Sequence, residues 1–232
     1  MSSLPPQVAD TPMSAIEVHS GNRRVYQMFK RIFDVMLSGL LLVLLSPVWL
    51  VLMVLIKLDS KGPVFFVQPV IGKNGATFFQ YKFRSMLPNS RTFDHVADVE
   101  RNFRNQQPTA ADDKGPIFKT ALVDQGRITR VGRFLRRTSL DEFPQIWNVL
   151  RGDMSFVGPR PSLPYEAQLY EDWQKQRFLV RPGLTGLYQV SARNRVPIEE
   201  MIRIDLEYVR RESLFLDLKI LLKTPAAMLS GI

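Results

Sequence analysis

The chain has 232 residues, no cysteine and a formal net charge of +9 at pH 7. The lack of cysteine excludes a disulfide framework and a thiolate metal site, and the length allows one globular domain beside a membrane segment. The positive charge suits a nucleic acid, an anionic lipid surface or a polyanionic small substrate as partner.

The N-terminal residues 1–25 are rich in serine and proline at their start and show no hydrophobic period, which predicts a disordered tail. An uncharged apolar run follows at residues 35–56 and is interrupted by Ser46-Pro47. A helix of about 20 residues crosses a hydrocarbon core of about 30 Å. Proline removes the hydrogen bond to the Val43 carbonyl, so we expect a kink there, supported by the Ser46 hydroxyl bonding one turn back.

Basic residues flank the apolar run on both sides, so the positive-inside tendency selects no orientation. The residues leave two topologies open. One is a kinked helix that spans the bilayer, and the other is a re-entrant helix that bends at Ser46-Pro47 and returns to the same face. In either case we expect the segment 26–58 to be a retained membrane anchor, because no signal-peptide cleavage pattern follows it.

Two runs rich in β-branched and aromatic residues, 62–72 and 76–86, surround Asn74-Gly75 and predict an antiparallel hairpin near the membrane. In the second run Lys82 and Arg84 share one face of the strand. The polar residues 88–126 predict a long excursion with a short helix at about 94–104. Periodicity predicts further helices at 127–138, 141–150, 164–179, from 198, and at 213–224. The last of these suits a buried core position or the bilayer interface equally well.

Arginines are concentrated between residues 127 and 160, a stretch without lysine. The planar fork of arginine matches phosphate oxygens, whereas a lysine offers a point charge. A solvated basic helix face and contacts with lipid headgroups are the alternatives. The turns Gly158-Pro159-Arg160-Pro161 and 181–186 each hold one arginine rigidly. We therefore predict phosphate contacts from Arg136, Arg160 and Arg181, and less directly from Lys82 and Arg84.

The dipeptide Asp141-Glu142 lies inside this arginine cluster and directly before Phe143-Pro144, which predicts a helix N-terminus. The spacing from Ser139 to Glu142 fits a capping box, and Asp141 fits an N-cap, so both acids have structural explanations. The alternative is catalytic. A carboxylate held ionised by the helix dipole and by Arg136 suits a nucleophile, and two adjacent carboxylates suit Mg²⁺ together with substrate phosphates.

Several motifs together resemble the bacterial sugar transferase family, the monotopic phosphoglycosyl transferases. They occur in the order typical of that family and cover the chain from about residue 26 to the C-terminus, and the chain is similar to the minimal members that start exopolysaccharide repeat units. One departure is Phe143, where the family usually has leucine. The motifs are Lys30-Arg31 with Phe33-Asp34, the kinked apolar run, KFRSM at 82–86, GRFLRRTSLDEFPQIWNVLRGDMSFVGPRP at 132–161, and RPGLTG at 181–186.

The resemblance implies transfer of a hexose 1-phosphate from a UDP-sugar to polyprenyl (undecaprenyl) phosphate, with UMP as the second product. It implies that Asp141 is the nucleophile of a covalent aspartyl phospho-sugar intermediate and that Asp141 and Glu142 hold Mg²⁺. It also implies a re-entrant membrane helix at 26–58, with a catalytic domain, 59–232, on the cytoplasmic face of the inner membrane.

The expected fold class is helix-rich α+β, with a re-entrant membrane helix, a small antiparallel β-hairpin, and a cytosolic helical catalytic domain carrying interfacial amphipathic helices. A homodimer is compatible with the sequence. The rival function is a non-enzymatic, membrane-anchored basic adaptor of a polysaccharide assembly complex. A nucleic-acid partner is not expected, because no helix-turn-helix, RNP or zinc signature occurs.

Overall fold

The computed structural model describes residues 20–87, 127–192 and 196–229. Of the predicted tail at 1–25, residues 1–19 lie outside the described ranges, and the prediction is wrong for residues 20–25, which are helical. The predicted helix at 94–104 also lies outside these ranges. Helix α1, Ser20–Leu44, and helix α2, Ser46–Asp59, meet at a bend of 61°. The Ser46 hydroxyl donates to the Val43 carbonyl at 2.8 Å, so the predicted kink and the predicted hydroxyl contact are both confirmed.

Within the described ranges, no single helix is both long enough and apolar enough to cross a bilayer, while the bent α1–α2 pair meets that criterion jointly. Helix α1 has two contrasting faces. Its inner face carries buried polar residues, of which Asp34 is 2% exposed and Ser38 is 0% exposed. Its outer face is an apolar stripe at helical spacing: Val25, Met28, Phe29, Ile32, Met36, Leu40 and Val43.

The predicted hairpin is confirmed. Strand β1, Phe65–Ile71, pairs antiparallel with strand β2, Thr77–Phe83, so that Phe66 opposes Lys82. A 3₁₀ turn at Lys73–Gly75 connects the strands. Asn74 adopts φ 58° in this turn, the left-handed conformation that asparagine tolerates well.

The arginine-rich region forms helix α3, Arg130–Thr138, a 3₁₀ turn at Leu140–Glu142, and helix α4, Gln145–Arg151. Helix α3 is confirmed from its periodicity. The single helix predicted at 141–150 is only partly correct, because its first residues form the 3₁₀ turn and α4 begins after Pro144. Proline fits a first helical turn but not a continuous helix interior.

The helix predicted at 164–179 is wrong as one element. It is divided into α5, Pro164–Gln168, α6, Asp172–Lys175, and a 3₁₀ turn at Gln176–Leu179. At the start of each short helix, the side chain of the third helical residue accepts from the backbone amide before the helix: Glu166 from Leu163 in α5 and Gln174 from Glu171 in α6, both at 2.8 Å. The amphipathic pattern was thus interrupted by a second helix start that periodicity does not reveal.

A two-stranded parallel sheet joins β3, Ser155–Val157, to β4, Gly183–Thr185, and was not predicted. A side chain at Gly183 would lie 2.1 Å from the Gly158 backbone nitrogen, so this close crossing requires glycine. Helices α7, Leu187–Ser191, α8, Ile198–Arg211, and α9, Leu214–Leu229, complete the described chain. The main core packs β3 against α4, α8 and α9. The helix-rich α+β prediction is confirmed.

Candidate active site

Asp141 and Glu142 lie on the 3₁₀ turn between α3 and α4. Ser139 precedes this turn with φ 56° and makes no side-chain capping hydrogen bond. The residue that caps α4 is Pro144, which also has no side-chain bond. The structure therefore contradicts both predicted caps. Ser139 and Glu142 form no capping box, and Asp141 is not the N-cap of α4.

Two of the predicted cations meet this acidic pair. Lys82 Nζ, near the end of β2, donates to Glu142 Oε1 at 3.1 Å. Arg136 lies on the last turn of α3, and its Nη1 is buried without a hydrogen-bond partner among the described residues. Burial lowers the pKa of the Arg136 guanidinium, and the charge of Asp141 partly offsets that effect. A buried, incompletely bonded guanidinium beside a carboxylate favours the binding of an additional anion.

The acidic turn is held in place by a buried amide on α4. The Asn148 side chain is 0% exposed, donates to the Phe79 carbonyl at 2.8 Å and accepts from the Tyr81 amide at 3.1 Å. Asn148 thus satisfies one amide and one carbonyl of β2, as a neighbouring strand would. Asn148 was not singled out from the sequence, where a mid-helix asparagine carries no distinctive signal.

The far end of α4 is capped by helix α1. Arg31 donates to the carbonyls of Val149 and Leu150, at 2.6 and 2.7 Å. The Val149 carbonyl also accepts from the Gly152 amide at 3.0 Å, and a cation at this C-terminal end of α4 complements the helix dipole. Arg31, which the sequence presented as a basic flank and as part of the Lys30-Arg31 motif, therefore helps to set the position of α4 relative to α1.

Other residues of α1 bind the domain in the same manner. Lys30 and Tyr26 both donate to Asp217 on α9, and Asp34 accepts from the Phe156 amide of β3 at 3.1 Å. The motif Lys30-Arg31 with Phe33-Asp34 is thus a docking seam. Its signal in the sequence is polar residues at spacings of three and four inside an otherwise apolar helix.

Three further residues predicted to contact phosphate lie apart from Asp141. Arg84 is 6% exposed and donates to the Ser60 carbonyl and hydroxyl at the end of α2. Arg181 Nε donates to the carbonyl of Gly152, which lies beyond the opposite end of α4. Arg160 is exposed, and its turn is attached through Ser162 to Ile71, at the end of β1 remote from the partner of Lys82.

The buried ion pair of Arg177 and Asp205 supports the turn that holds Arg160. Neither residue was predicted from the sequence. Arg177 donates to Asp205 on α8, to the Ser162 and Tyr170 hydroxyls, and to the Arg160 carbonyl at 2.9 Å. Burial raises the pKa of Asp205 to about 6 against the opposing charge of Arg177. The pair fixes the conformation of this turn.

The acidic turn offers few ligands for a metal ion. The described ranges contain no group of three or more His, Cys, Asp or Glu residues able to hold a metal ion. Mg²⁺ in phosphoryl-transfer sites uses one or two carboxylates and takes its remaining ligands from substrate phosphates and water. The adjacent Asp141 and Glu142, the latter with a side chain 42% exposed, fit that smaller requirement.

The domain thus combines an acidic turn, two cations beside that turn and a bent apolar helix pair. The sequence matches the family described as bacterial sugar transferase over residues 25–231, and the chain belongs to that family. It is 43% identical over 202 residues to the exopolysaccharide production protein ExoY of Sinorhizobium fredii, which covers 87% of this chain and 86% of that protein.

Longer relatives match over the same region. The undecaprenyl-phosphate galactose phosphotransferase of Salmonella typhimurium is 39% identical, with 89% of this chain and 42% of that protein aligned. The UDP-glucose:undecaprenyl-phosphate glucose-1-phosphate transferase of Xanthomonas campestris is also 39% identical, over 86% of this chain and 38% of that protein. Because ExoY aligns over most of both chains, this is an exopolysaccharide-type family member and an enzyme.

Proposed function

We propose that this chain transfers a hexose 1-phosphate from a UDP-sugar to undecaprenyl phosphate, the first membrane step of an exopolysaccharide or related glycan. The observation that carries the proposal is the placement of Asp141 beside Arg136, a half-buried cation whose Nη1 is buried without a hydrogen-bond partner among the described residues. The relatives named above act on galactose and glucose, so the hexose itself is left to the assay below.

The chemistry proceeds in two displacements. The Asp141 carboxylate attacks the phosphorus that bears the sugar, and the bond from that phosphorus to the bridging oxygen breaks, so that UMP leaves with the electron pair. An oxygen of undecaprenyl phosphate then attacks the same phosphorus and releases the Asp141 carboxylate. The sugar C1–O bond is never broken, so the anomeric configuration is retained.

Two polyanions must approach one carboxylate in this reaction, and their mutual repulsion opposes it. Arg136 supplies a partly desolvated charge, which is stronger than the same charge in water. Lys82 holds Glu142 at 3.1 Å and adds a second cation at the same turn. Mg²⁺ held by Asp141, Glu142 and substrate phosphate oxygens would neutralise the charge that develops on the leaving UMP.

The bent helix pair gives the lipid acceptor access to the site. We propose that α1 and α2 form a re-entrant anchor whose two ends lie on the cytoplasmic face of the inner membrane. The apolar stripe on the outer face of α1 and the exposed residues Phe215, Leu218 and Leu222 of α9 would face lipid. Asp141 would then be level with the phosphate of the acceptor.

The decisive experiment combines purified full-length protein with undecaprenyl phosphate, Mg²⁺ and UDP-glucose or UDP-galactose, and measures UMP release. The wild type should release UMP with one of these donors. Asp141→Asn should lose activity by at least about three orders of magnitude, because its amide cannot displace UMP. Glu142→Gln should retain the nucleophile and form a labelled aspartyl phospho-sugar from donor alone.

The matched control is Asp172→Asn, since the Asp172 side chain is fully exposed on α6. It should keep wild-type activity. If Asp141→Asn releases UMP at the wild-type rate, Asp141 is not the nucleophile. If the wild type releases none with any UDP-sugar, the adaptor function becomes the better explanation.

Topology is testable because the chain contains no cysteine of its own. Single cysteines replacing Asp10 and Lys223 should both react with an impermeant maleimide in inverted membrane vesicles and not in spheroplasts. Labelling of the two positions from opposite sides would establish a spanning helix and contradict the re-entrant anchor.

A further inference from the structure

A pocket lies at the junction of the α1 N-terminus, the tip of the hairpin and the start of β4. Its lining includes Lys30, Lys73, Arg181, Tyr208 and Glu212, and it is a shallow depression that is partly open to solvent. The proposed function uses none of these side chains in the transfer chemistry.

The pocket is separate from the acidic turn. Lys73 lies in the hairpin tip, whereas Lys82, which contacts Glu142, lies toward the other end of β2. Five residues of extended strand from Thr77 to Lys82 span about 17 Å. Arg181 contacts Gly152, which lies at the end of α4 opposite to the acidic turn. Helix α4 itself is about 10 Å long.

The charges in and around the pocket do not balance. Lys30 is paired with Asp217, and Glu212 is paired with Arg23, so those groups are satisfied. Lys73 Nζ and the terminal nitrogens of Arg181 have no hydrogen-bond partner within the described ranges, and Arg23 Nη2 is buried without one. Two positive charges are therefore left without a carboxylate.

The cations also act on one another. Burial lowers the pKa of Lys73, and the charges of Arg181 and Arg23 lower it further, while Glu212 opposes them. This repulsion costs free energy, and an anion bound between the two half-buried cations would reduce it. The geometry places the Arg181 fork and Lys73 around one opening, whereas the Tyr208 hydroxyl on the same lining already donates to Asp217.

We propose that Lys73, Arg181 and Arg23 form a second phosphate-binding site, distinct from the site at Asp141. The ligand class is a phosphate monoester or a diphosphate, since a doubly charged anion matches the two uncompensated cations. The phosphate can come from a soluble nucleotide-type ligand or from an anionic lipid headgroup. The second source is in reach because the apolar stripe of α1 begins at Val25, two residues after Arg23.

The test is lysine footprinting of the full-length protein. A lowered pKa leaves more of Lys73 unprotonated near neutral pH, so an acylating reagent should modify it, and mass spectrometry measures the rate at each lysine. Inorganic diphosphate is added in neutral detergent. At ten times its dissociation constant it should slow Lys73 acylation about tenfold by mass action. Lys219, exposed on α9, is the internal control and should be unaffected.

The two phosphate sources are separated by the membrane mimetic. In zwitterionic nanodiscs, protection that depends on added diphosphate identifies a soluble ligand. Protection in nanodiscs containing phosphatidylglycerol, without added diphosphate, identifies a lipid headgroup. Either result supports the site. Absence of protection in both, or equal slowing at Lys73 and Lys219, overturns it.

Titration calorimetry gives an independent readout. Lys73→Gln should weaken the binding of diphosphate about tenfold, because one charge-assisted hydrogen bond is lost. Lys219→Gln should leave the dissociation constant of diphosphate unchanged. Identical titrations of the two variants would refute the proposal even if Lys73 proved unreactive to acylation. The proposal does not depend on the transfer reaction, because neither readout measures activity.

Discussion

The inner face of α1 and the acidic turn at Asp141 are both rich in charged residues, yet their charges are used differently. On α1, Lys30, Arg31 and Asp34 each bind a definite partner in the domain. At the acidic turn, Arg136 is buried with an unbonded nitrogen, and Glu142 remains 42% exposed. The first region is complete as folded, and the second is arranged to receive something more.

This difference separates structural from functional charge where composition does not. A buried ion pair with all its hydrogen bonds made stabilises one geometry, and its loss damages the fold. A cation buried with bonds unmade costs stability, and a bound ligand offsets that cost where it supplies the missing bonds. The two regions should therefore respond oppositely to mutation.

The largest effect is expected at the α1 seam. Asp217 accepts from Lys30, Tyr26 and Tyr208, and its side chain is 9% exposed. Asp217→Ala should lower the free energy of unfolding by about 3–5 kcal/mol, because it leaves a lysine and two hydroxyls buried without their acceptor. Guanidinium unfolding in detergent, followed by tryptophan fluorescence, measures the change.

The control for Asp217→Ala is Asp172→Ala, which removes an exposed partner of Lys175 on α6. Its unfolding curve should overlay that of the wild type. Equal loss of stability in the two variants would show that the seam carries no special energy and would remove one side of the comparison.

The complementary effect is expected at Arg136. Arg136→Gln should reduce UMP release by about two to three orders of magnitude, equivalent to about 3–4 kcal/mol of transition-state stabilisation. The folded protein should lose little stability, since a poorly bonded buried charge is removed. Arg137→Gln, which changes the exposed neighbour on α3, should retain near-wild-type rates. If Arg136→Gln instead lost stability while its folded fraction kept wild-type activity, Arg136 would be a structural residue and not a substrate contact.

Much of the frame could be predicted because its signals are local. Asn74-Gly75 indicated the hairpin turn, Pro47 indicated the kink, and periodicity indicated α3. The β3–β4 pairing could not be predicted, since three-residue strands distant in sequence carry almost no pattern. The two helix starts within 164–179 were also missed, because the residues at a helix start are a weaker sequence signal than periodicity.

The candidate site was predictable in residue type but not in geometry. The Asp141-Glu142 pair and Arg136 were selected from the sequence and lie together in the structure, whereas Arg84 and Arg181 were selected by the same reasoning and lie elsewhere. Lys30 and Arg31 were recognised as basic flanks and as part of a family motif, but their docking role was not predicted, because apolar residues normally face a protein core. On α1 the polar face is the one that docks.

A pH test extends the comparison to the buried pair of Arg177 and Asp205. The pKa of Asp205 is raised from its ordinary 3.8 to about 6 by burial. Between these values the folded protein binds a proton that the unfolded chain has lost, so stability from this group is present at low pH and is lost as the pH rises through about 6. The shift corresponds to about 3 kcal/mol.

Asp205→Asn should remove that dependence. The unfolding free energy of the wild type, measured at pH 4 and at pH 7, should fall more steeply with pH than that of the variant. Parallel pH profiles would mean that Asp205 stays ionised throughout, held by Arg177, and that burial does not dominate at this site.

The smallest effects are expected at the bend, where one bond replaces another. Ser46→Ala removes the hydroxyl that serves the Val43 carbonyl and should cost about 1 kcal/mol of helix stability. Pro47→Ala restores a backbone donor to that carbonyl and should straighten the pair, which now bends by 61°. Spin labels on cysteines replacing the exposed Met36 and Val54 report the change as a distance. The distance should lengthen in Pro47→Ala and keep its mean in Ser46→Ala. If neither substitution alters it, the bend is imposed by docking of α1 at its polar seam, and the seam would then determine the geometry of the anchor as well as its attachment.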